Sequence, residues 1–322
     1  DEILPRLAAE VGAAEVHALR HYEPWHEAAQ EAVGARLALT LHDGQYLAPP
    51  TDVLNGQGQR YRMFTPWYRK LLDRMPPEHP LPAPSQIDGP DVHVASDDLD
   101  DWGLLPSKPD WSTGFSQWRP GEAGAWAAWE IFAPELCAYE RQRDFPSHEG
   151  TSRLSPHLHF GEISSRALWH ALEAHQGTGP SVYRSQLAWR EHGANLTHQM
   201  PHYGDSNGRA KFDPMKWREG PDADADFRAW CQGRTGYPVV DAGMRQLWQT
   251  GRMHNRVRMI CASFLAKHLL IDWRRGERWF WDTLLDADYG ANAANWQYVA
   301  GTGVDAPMFS RIMSPRLQSE KF

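Results

Sequence analysis

Carboxylates, amides and aromatic rings crowd residues 286–298, among them Asp286, Asp288, Asn292, Trp296 and Tyr298, followed by Gly301-Thr302-Gly303. Carboxylates and amides at this density suit a polar heterocycle gripped by its edge, because together they offer acceptors and donors side by side. The neighbouring rings suit a flat ligand or a path for electrons. Each indole also has an ordinary use in packing.

Three stretches upstream carry further chemistry. In Thr151-Ser152-Arg153-Leu154-Ser155-Pro156, Ser155-Pro156 reads as a helix start, a cap followed by proline. Hydroxyls, an arginine and free N–H groups at a helix start can hold a phosphate, and the same residues also read as a plain capped turn. In Arg252 to Met259 a helix puts Asn255 and Met259 on one face, Arg252 and Arg256 on another, and Arg258 elsewhere. That arrangement can hold a ligand and a phosphate together, or be a solvated basic face. Gln186, Trp189 and Arg190 share roughly one helical turn, a ring beside hydrogen-bonding tips, which suits a flat base or a core indole beside a surface arginine. No metal site is expected: His157 and His159 have no Asp, Glu or Cys at ligand spacing, and Cys137, Cys231 and Cys261 form no C-x-x-C.

The 322 residues leave room for two domains, and 41% hydrophobic with 23% charged residues is an ordinary globular balance. A net charge of −8 excludes bulk polyanion binding, so any nucleic-acid contact needs a local basic surface. The cysteine usage fits a reducing cytoplasm. The richest apolar run, Met259 to Ile271, is broken by Lys267 and His268, so no membrane span is expected. No signal peptide is read at the start. Residues 1–48 read α/β, with helices at 1–11 and 24–33, a short apolar stretch at Val16–Leu19 and a strand at Arg36–Leu41. Residues 49–110 read as a linker, since Pro76-Pro77 through Pro90 cannot form a helix interior. One helix should interrupt the linker, capped at Thr65 with Pro66 at its first position. Residues 111–322 read as all-helical.

The order of these motifs carries more than any one of them. Tyr139 with Arg143-Asp-Phe-Pro, then Thr151 to Ser155, Trp189-Arg-Glu, Thr235-Gly-Tyr-Pro-Val-Val-Asp241, His254 to Met259, and Asp286 to Tyr298 resemble the photolyase/cryptochrome family. The likeness runs from about residue 16 to 322, with Phe64-Thr-Pro echoing the family linker. It is nearest to the class I cyclobutane pyrimidine dimer photolyases. The resemblance implies a partial Rossmann-like antenna domain, a long linker and an all-helical FAD-binding domain. The family's opening βαβ unit would precede residue 1, and its last helix would follow Phe322.

On the family pattern, Tyr139 and Thr151, Ser152, Arg153, Leu154 and Ser155 hold the diphosphate and ribityl chain of FAD. Arg258 pairs with Asp286, Asp288 faces the polar edge of the flavin, and Asn292 lies near its reactive nitrogen. Arg190 and Asn255 complete the cofactor-binding set. Trp296, Trp273 and Trp217 make the electron chain. UV-damaged DNA is the implied partner: Trp189 stacks on the lesion, Asn255 and Met259 match the dimer enzymes, and Arg143, Gln186, Arg256 and Tyr298 complete the lesion contacts. The departures are Gln186 for the usual Glu, Tyr298 for a Trp, Tyr183 and Arg252 for Trp, and His192-Gly193 for an aromatic pair. Tyr22-Glu23 stands where folate-type members carry Asn-Glu, so any antenna chromophore is expected to be a deazaflavin or flavin rather than folate. A cytoplasmic, monomeric, light-driven DNA repair lyase is the leading expectation. The alternatives are a cryptochrome-like blue-light photoreceptor, to which Gln186 and Tyr298 point, and a general helical flavoprotein oxidoreductase. The absence of a G-x-G-x-x-G fingerprint speaks against nicotinamide use.

Overall fold

The computed structural model describes residues 2–89, 92, 94–309 and 311–322. Asp1 of the expected first helix, Pro90, Asp91 and His93 of the expected linker, and Ser310 of the expected helical region lie outside the described residues.

The N-terminal part is α/β, in the order α1 (Ile3–Val11), β1 (Val16–Leu19), α2 (Pro24–Gly34) and β2 (Leu39–His42). Gly12 ends α1 at φ +67°, returning its N–H to the carbonyls of Ala8 and Ala9. The two strands pair in parallel, Val16 opposite Leu39 and Leu19 opposite His42, and α2 makes the crossover that parallel neighbours need. The apolar stretch at Val16–Leu19 is thus a strand. The strand expected at Arg36 starts only at Leu39, because the N–H groups of Arg36 and Leu37 still bond to the Val33 carbonyl and finish the turn after α2.

In the linker region one helix forms, α3 (Phe64–Leu72). Thr65 does not cap it. The helix starts at Phe64, and the Phe64 N–H donates to Asp305 Oδ2 at 2.9 Å. A cap borrowed from the far end of the chain leaves no local signature.

The remainder is helical: α4 (Glu122–Phe132), α5 (Tyr139–Gln142), α6 (Ser155–His159), α7 (Ser165–Ala171), α8 (Thr178–Gln199), α9 (Pro221–Cys231), α10 (Pro238–Thr250), α11 (Asn255–Ser263), α12 (Trp273–Thr283), α13 (Tyr289–Ala300) and α14 (Pro315–Lys321). Among the described residues no strand follows β2, and no helix is long and apolar enough to cross a membrane. One core gathers Trp230, Met244, Leu265, Trp273 and Trp296 from α9 to α13. A second gathers Trp67, Leu136, Leu168 and Leu187 from α3 to α8.

The two cores meet where α8 packs on α13. A Cβ on Gly193 would stand 2.8 Å from the Ala291 nitrogen, and one on Gly290 would stand 2.5 Å from the Gly193 carbonyl carbon. Only glycine allows this approach, which accounts for Gly193 and Gly290 in this chain. His192 beside it is buried against Trp67 and Phe64, at ring distances of 5.1 and 5.7 Å. Burial pushes its pKa down to about 3, so it is a neutral core residue.

Candidate active site

Two adjoining cavities, of about 310 Å³ and about 80 Å³, share Asn255, Arg258, Asp286, Ala291 and Asn295, and together form one cleft between α8, α11 and α13. The junction is fixed by a fork: Arg258 Nη2 donates to Asp286 Oδ1 and Oδ2 at 3.0 and 2.9 Å, and Arg258 Nε donates to the Met253 carbonyl at 2.8 Å. Burial by itself raises the Asp286 pKa, but Arg258 and the Ser155 hydroxyl offset this and hold the carboxyl below its ordinary value. Ser155 therefore serves Asp286. The residue at the cap position of α6 is Leu154, not Ser155 as expected: the helix starts one residue earlier, with Ser155 as its first residue, and no side chain caps it.

The larger cavity is lined by the expected phosphate-end residues Tyr139, Arg143 and Thr151 to Ser155. Their loop is tied down by a Ser152–Tyr183 hydroxyl contact at 2.9 Å and by Arg252 Nη2 donating to Thr151 Oγ1 at 3.2 Å. Arg153, paired with Glu149, sits at φ +56°, a left-handed conformation costly for a side chain of this size and common at ligand clamps. Arg252 is not on the helix with Arg256, as the spacing suggested. The helix begins at Asn255, capped by His254, and Arg252 precedes it.

His254 is a site residue that sequence reasoning missed. It is buried and lines the larger cavity. Burial, reinforced by Arg252, pushes its pKa down to about 4. Its Nδ1 accepts the Arg256 N–H at 3.2 Å, which puts the proton on Nε2. That Nε2 donor makes no well-formed hydrogen bond although the Arg143 carbonyl is near it, and neither does Nη1 of the cavity-lining Arg190, 3.9 Å from Glu191 Oε1. Donors left in this state fit a ligand rich in phosphate or carbonyl oxygens. Arg190 also stands 5.4 Å from the Tyr46 ring and donates to the Leu158 carbonyl at 3.3 Å, so it joins the α/β part to the helical part.

The smaller cavity is lined by Met259, Asp288, Asn292 and Trp296. Asn255 Nδ2 lies 4.0 Å from Met259 Sδ, so these two share a face as the spacing implied. Asp288 caps α13, its Oδ1 accepting the Ala291 N–H at 2.7 Å. Asn292 donates its amide to the Glu277 carbonyl and Oε1, at 3.1 and 2.9 Å. Glu277 was not foreseen; burial pushes its pKa up to about 7, against the pull of the Asn292 hydrogen bond.

The other expected residues scatter. Gln186 and Trp189 line the larger cavity, and one face of Trp189 stacks on Phe64 at 3.6 Å and 7°. Arg256 lies beside the cleft, its guanidinium 2.6 Å from Asp144 and 4.3 Å from the Phe322 ring. The Tyr298 hydroxyl accepts from Arg311 Nη1 at 3.3 Å, away from both cavities. Trp273 is fully buried and donates to Asn207 Oδ1 at 3.1 Å, while Trp217 packs on the edge of the same core. The indole in contact with Trp296 is one the sequence gave no role, Trp230, edge-on with ring centroids 6.2 Å apart. Gly276 makes room for Trp296, since a Cβ there would come within 2.2 Å of its ring.

Comparison with known proteins sets these residues in a family. Residues 183–322 match the FAD binding domain of DNA photolyase, and residues 1–85 match the DNA photolyase family. Over its whole length the chain is 47% identical to a deoxyribodipyrimidine photo-lyase of Agrobacterium fabrum, spanning 69% of that protein. The chain belongs to the photolyase/cryptochrome family.

A deoxyribodipyrimidine photo-lyase of Synechococcus is 37% identical over 99% of the chain and 69% of its own length. Among solved structures, a bacterial class III photolyase from Agrobacterium tumefaciens superposes with a TM-score of 0.94 at 47% identity, covering all of this chain and 68% of that one. This corrects the expected likeness to class I. Asn255, Met259 and Trp189 belong to the site alone, whereas the superposition weighs the whole chain. An archaeal photolyase from Sulfolobus tokodaii, solved with two FAD molecules, gives a TM-score of 0.78 at 28% identity, covering 98% of this chain and 69% of that one. A Synechocystis cryptochrome gives a TM-score of 0.86 at 24% identity over all of this chain and 69% of that one, a likeness of fold.

Proposed function

We propose that the chain is a light-driven DNA repair lyase that splits cyclobutane pyrimidine dimers, with FAD held in the cleft between α8, α11 and α13. The observation that carries the proposal is the cleft itself. Unsatisfied donors on His254 and Arg190 stand at its phosphate end, and Asn255, Met259 and Asn292 stand at its other end. Reduced FAD, when bound, supplies the light-excited electron that splits the dimer and then takes it back.

Each residue group has a task in this reading. The Thr151 to Ser155 loop, Tyr139, His254 and Arg190 hold the diphosphate and ribityl chain. Asp286 fixes Arg258, Asp288 meets the polar edge of the flavin, and Asn292 lies near its reactive nitrogen. Glu277 orients the Asn292 amide through its carboxyl and carbonyl oxygens. Met259, Asn255, Gln186 and the open part of Trp189 receive a lesion flipped out of the duplex, at a site dry enough to exclude water. Arg143 and Arg256 meet the DNA backbone, and Asp144 between them is the charge that DNA phosphates must displace. Trp296, with Trp273 and Trp217 beyond it, carries electrons inward to restore the reduced flavin.

The protein is further proposed to be a cytoplasmic monomer, in keeping with its three free cysteines. Any antenna chromophore is proposed to be of the flavin or deazaflavin type, which the archaeal relative solved with two FAD molecules supports for the flavin case. The deciding experiment illuminates dimer-containing DNA with the purified protein carrying reduced FAD. Dimer loss in light but not in darkness is expected. Full FAD occupancy with no dimer loss overturns the repair reading and favours the blue-light photoreceptor.

A further inference from the structure

Outside the cleft, His21, Glu23 and His26 place three ligand atoms within 4.8 Å of one another. We propose that this triad is a binding site for a divalent transition metal ion of the Zn²⁺ type. Glu23 Oε2 is the centre of the group, 3.0 Å from His26 Nδ1 and 3.8 Å from His21 Nδ1. Around a tetrahedral ion with bonds of about 2.0–2.1 Å, neighbouring ligand atoms stand about 3.3–3.4 Å apart. These two separations bracket that value and the third, between the imidazoles, is within 4.8 Å, so closing on an ion needs movements of about 1.5 Å or less.

The backbone holds the ligands in place without an ion. Glu23 is the residue before α2 and His26 lies in its first turn, so two ligands ride on one helix start. His21 is clamped at both backbone groups by one side chain: its N–H donates to Gln30 Oε1, and Gln30 Nε2 donates to its carbonyl, each at 3.0 Å. The ring centroids of His21 and His26 are 4.6 Å apart, with the rings tilted by 52°.

Two imidazoles and one carboxylate make the donor set of open zinc sites, in which water or an external group takes the fourth position. Nitrogen donors select Zn²⁺, Cu²⁺ or Ni²⁺ over Mg²⁺ and Ca²⁺, which favour oxygen. The half-exposed His21 and His26 side chains leave an entry path. The site lies at the seam between the two parts of the molecule: Trp25, between two of the ligands, packs edge-on against Tyr289 of α13 with ring centroids at 4.9 Å. An ion here would stiffen the start of α2, which presents Trp25 to α13.

The test is titration of the chelator-stripped protein with Zn²⁺ by calorimetry, and with Co²⁺ by visible absorption. One ion per chain is expected, with the intense visible bands of four-coordinate Co²⁺. Glu23→Gln and His26→Gln should each weaken binding by at least about tenfold while leaving the far-ultraviolet circular dichroism unchanged. No saturable binding by the unmodified protein overturns the proposal. So does binding that both variants retain at full strength. Should either variant fail to fold, His21→Asn in the same titration decides between these outcomes.

Discussion

Gly193 on α8 and Gly290 on α13 meet backbone to backbone, with no room for a Cβ on either. The contact sets how near Gln186, Trp189 and Arg190 come to Asn292 and Trp296, because the first three ride on α8 and the others on α13. Gly193→Ala forces the helices apart, and the expected cost is about 1–3 kcal/mol. Urea unfolding and the flavin retained after gel filtration both measure it. Unchanged values in both would show that the pair of helices yields without consequence.

His254 should bind a cofactor oxygen through Nε2. His254→Phe keeps the buried ring but removes the donor and the acceptor used by the Arg256 N–H. FAD affinity should fall by about 1–2 kcal/mol, roughly five- to thirtyfold. His254→Gln can keep one donor and one acceptor, and should recover part of the loss. Equal affinity for all three proteins would assign His254 to helix capping alone.

Trp296 is the first expected carrier of electrons to the flavin. Trp296→Phe should stop photoreduction of oxidised FAD and leave dimer repair by previously reduced protein intact. Loss of both together would make its role one of packing, as its burial against Phe280 and Trp230 allows. Trp230→Phe tests the neighbour that the structure adds. Slower photoreduction in that variant means that electrons leave Trp296 by more than the route through Trp273.

Glu191 gives the stability a pH dependence. Burial pushes its pKa from 4.5 up to about 7 although Arg190 opposes the shift, and its Oε2 accepts the Leu47 N–H at 2.9 Å. Between these two values the folded protein holds more protons than the unfolded chain, so stability falls as pH rises through the window and stays lower above it. Glu277, also raised to about 7, acts in the same direction. Glu191→Gln keeps an acceptor for Leu47 but cannot ionise. Relative to the unmodified protein it should therefore gain stability between about pH 5 and about pH 8, by at most on the order of 3 kcal/mol. A stability difference between the two proteins that does not change with pH would show that Glu191 ionises in its ordinary range.

Much of the site was legible because its chemistry sits in short runs. Asp286 to Tyr298 and Asn255 to Met259 each lie on one helix or at its start, where spacing alone says which residues share a face, and Asn255 with Met259 bears this out. The α/β start was legible for the same reason, since helix and strand periods are local. The class of photolyase was not, since short motifs at a shared site say little about the rest of the chain.

By itself, then, the sequence determined the residue types of the cleft, the family and the helical character of the C-terminal part. Tertiary structure decided what no local pattern contains. Asp305 caps α3 from 241 residues away, the Ser155 hydroxyl meets Asp286, and Trp230 comes beside Trp296 from a different helix. It also decided that Gly193 is a point of helix contact and that His254 Nε2 is an unsatisfied donor. The physical reason is common to all of these. A hydrogen bond or a packing contact is fixed by distance in space, whereas sequence spacing reports distance only along one helix or strand.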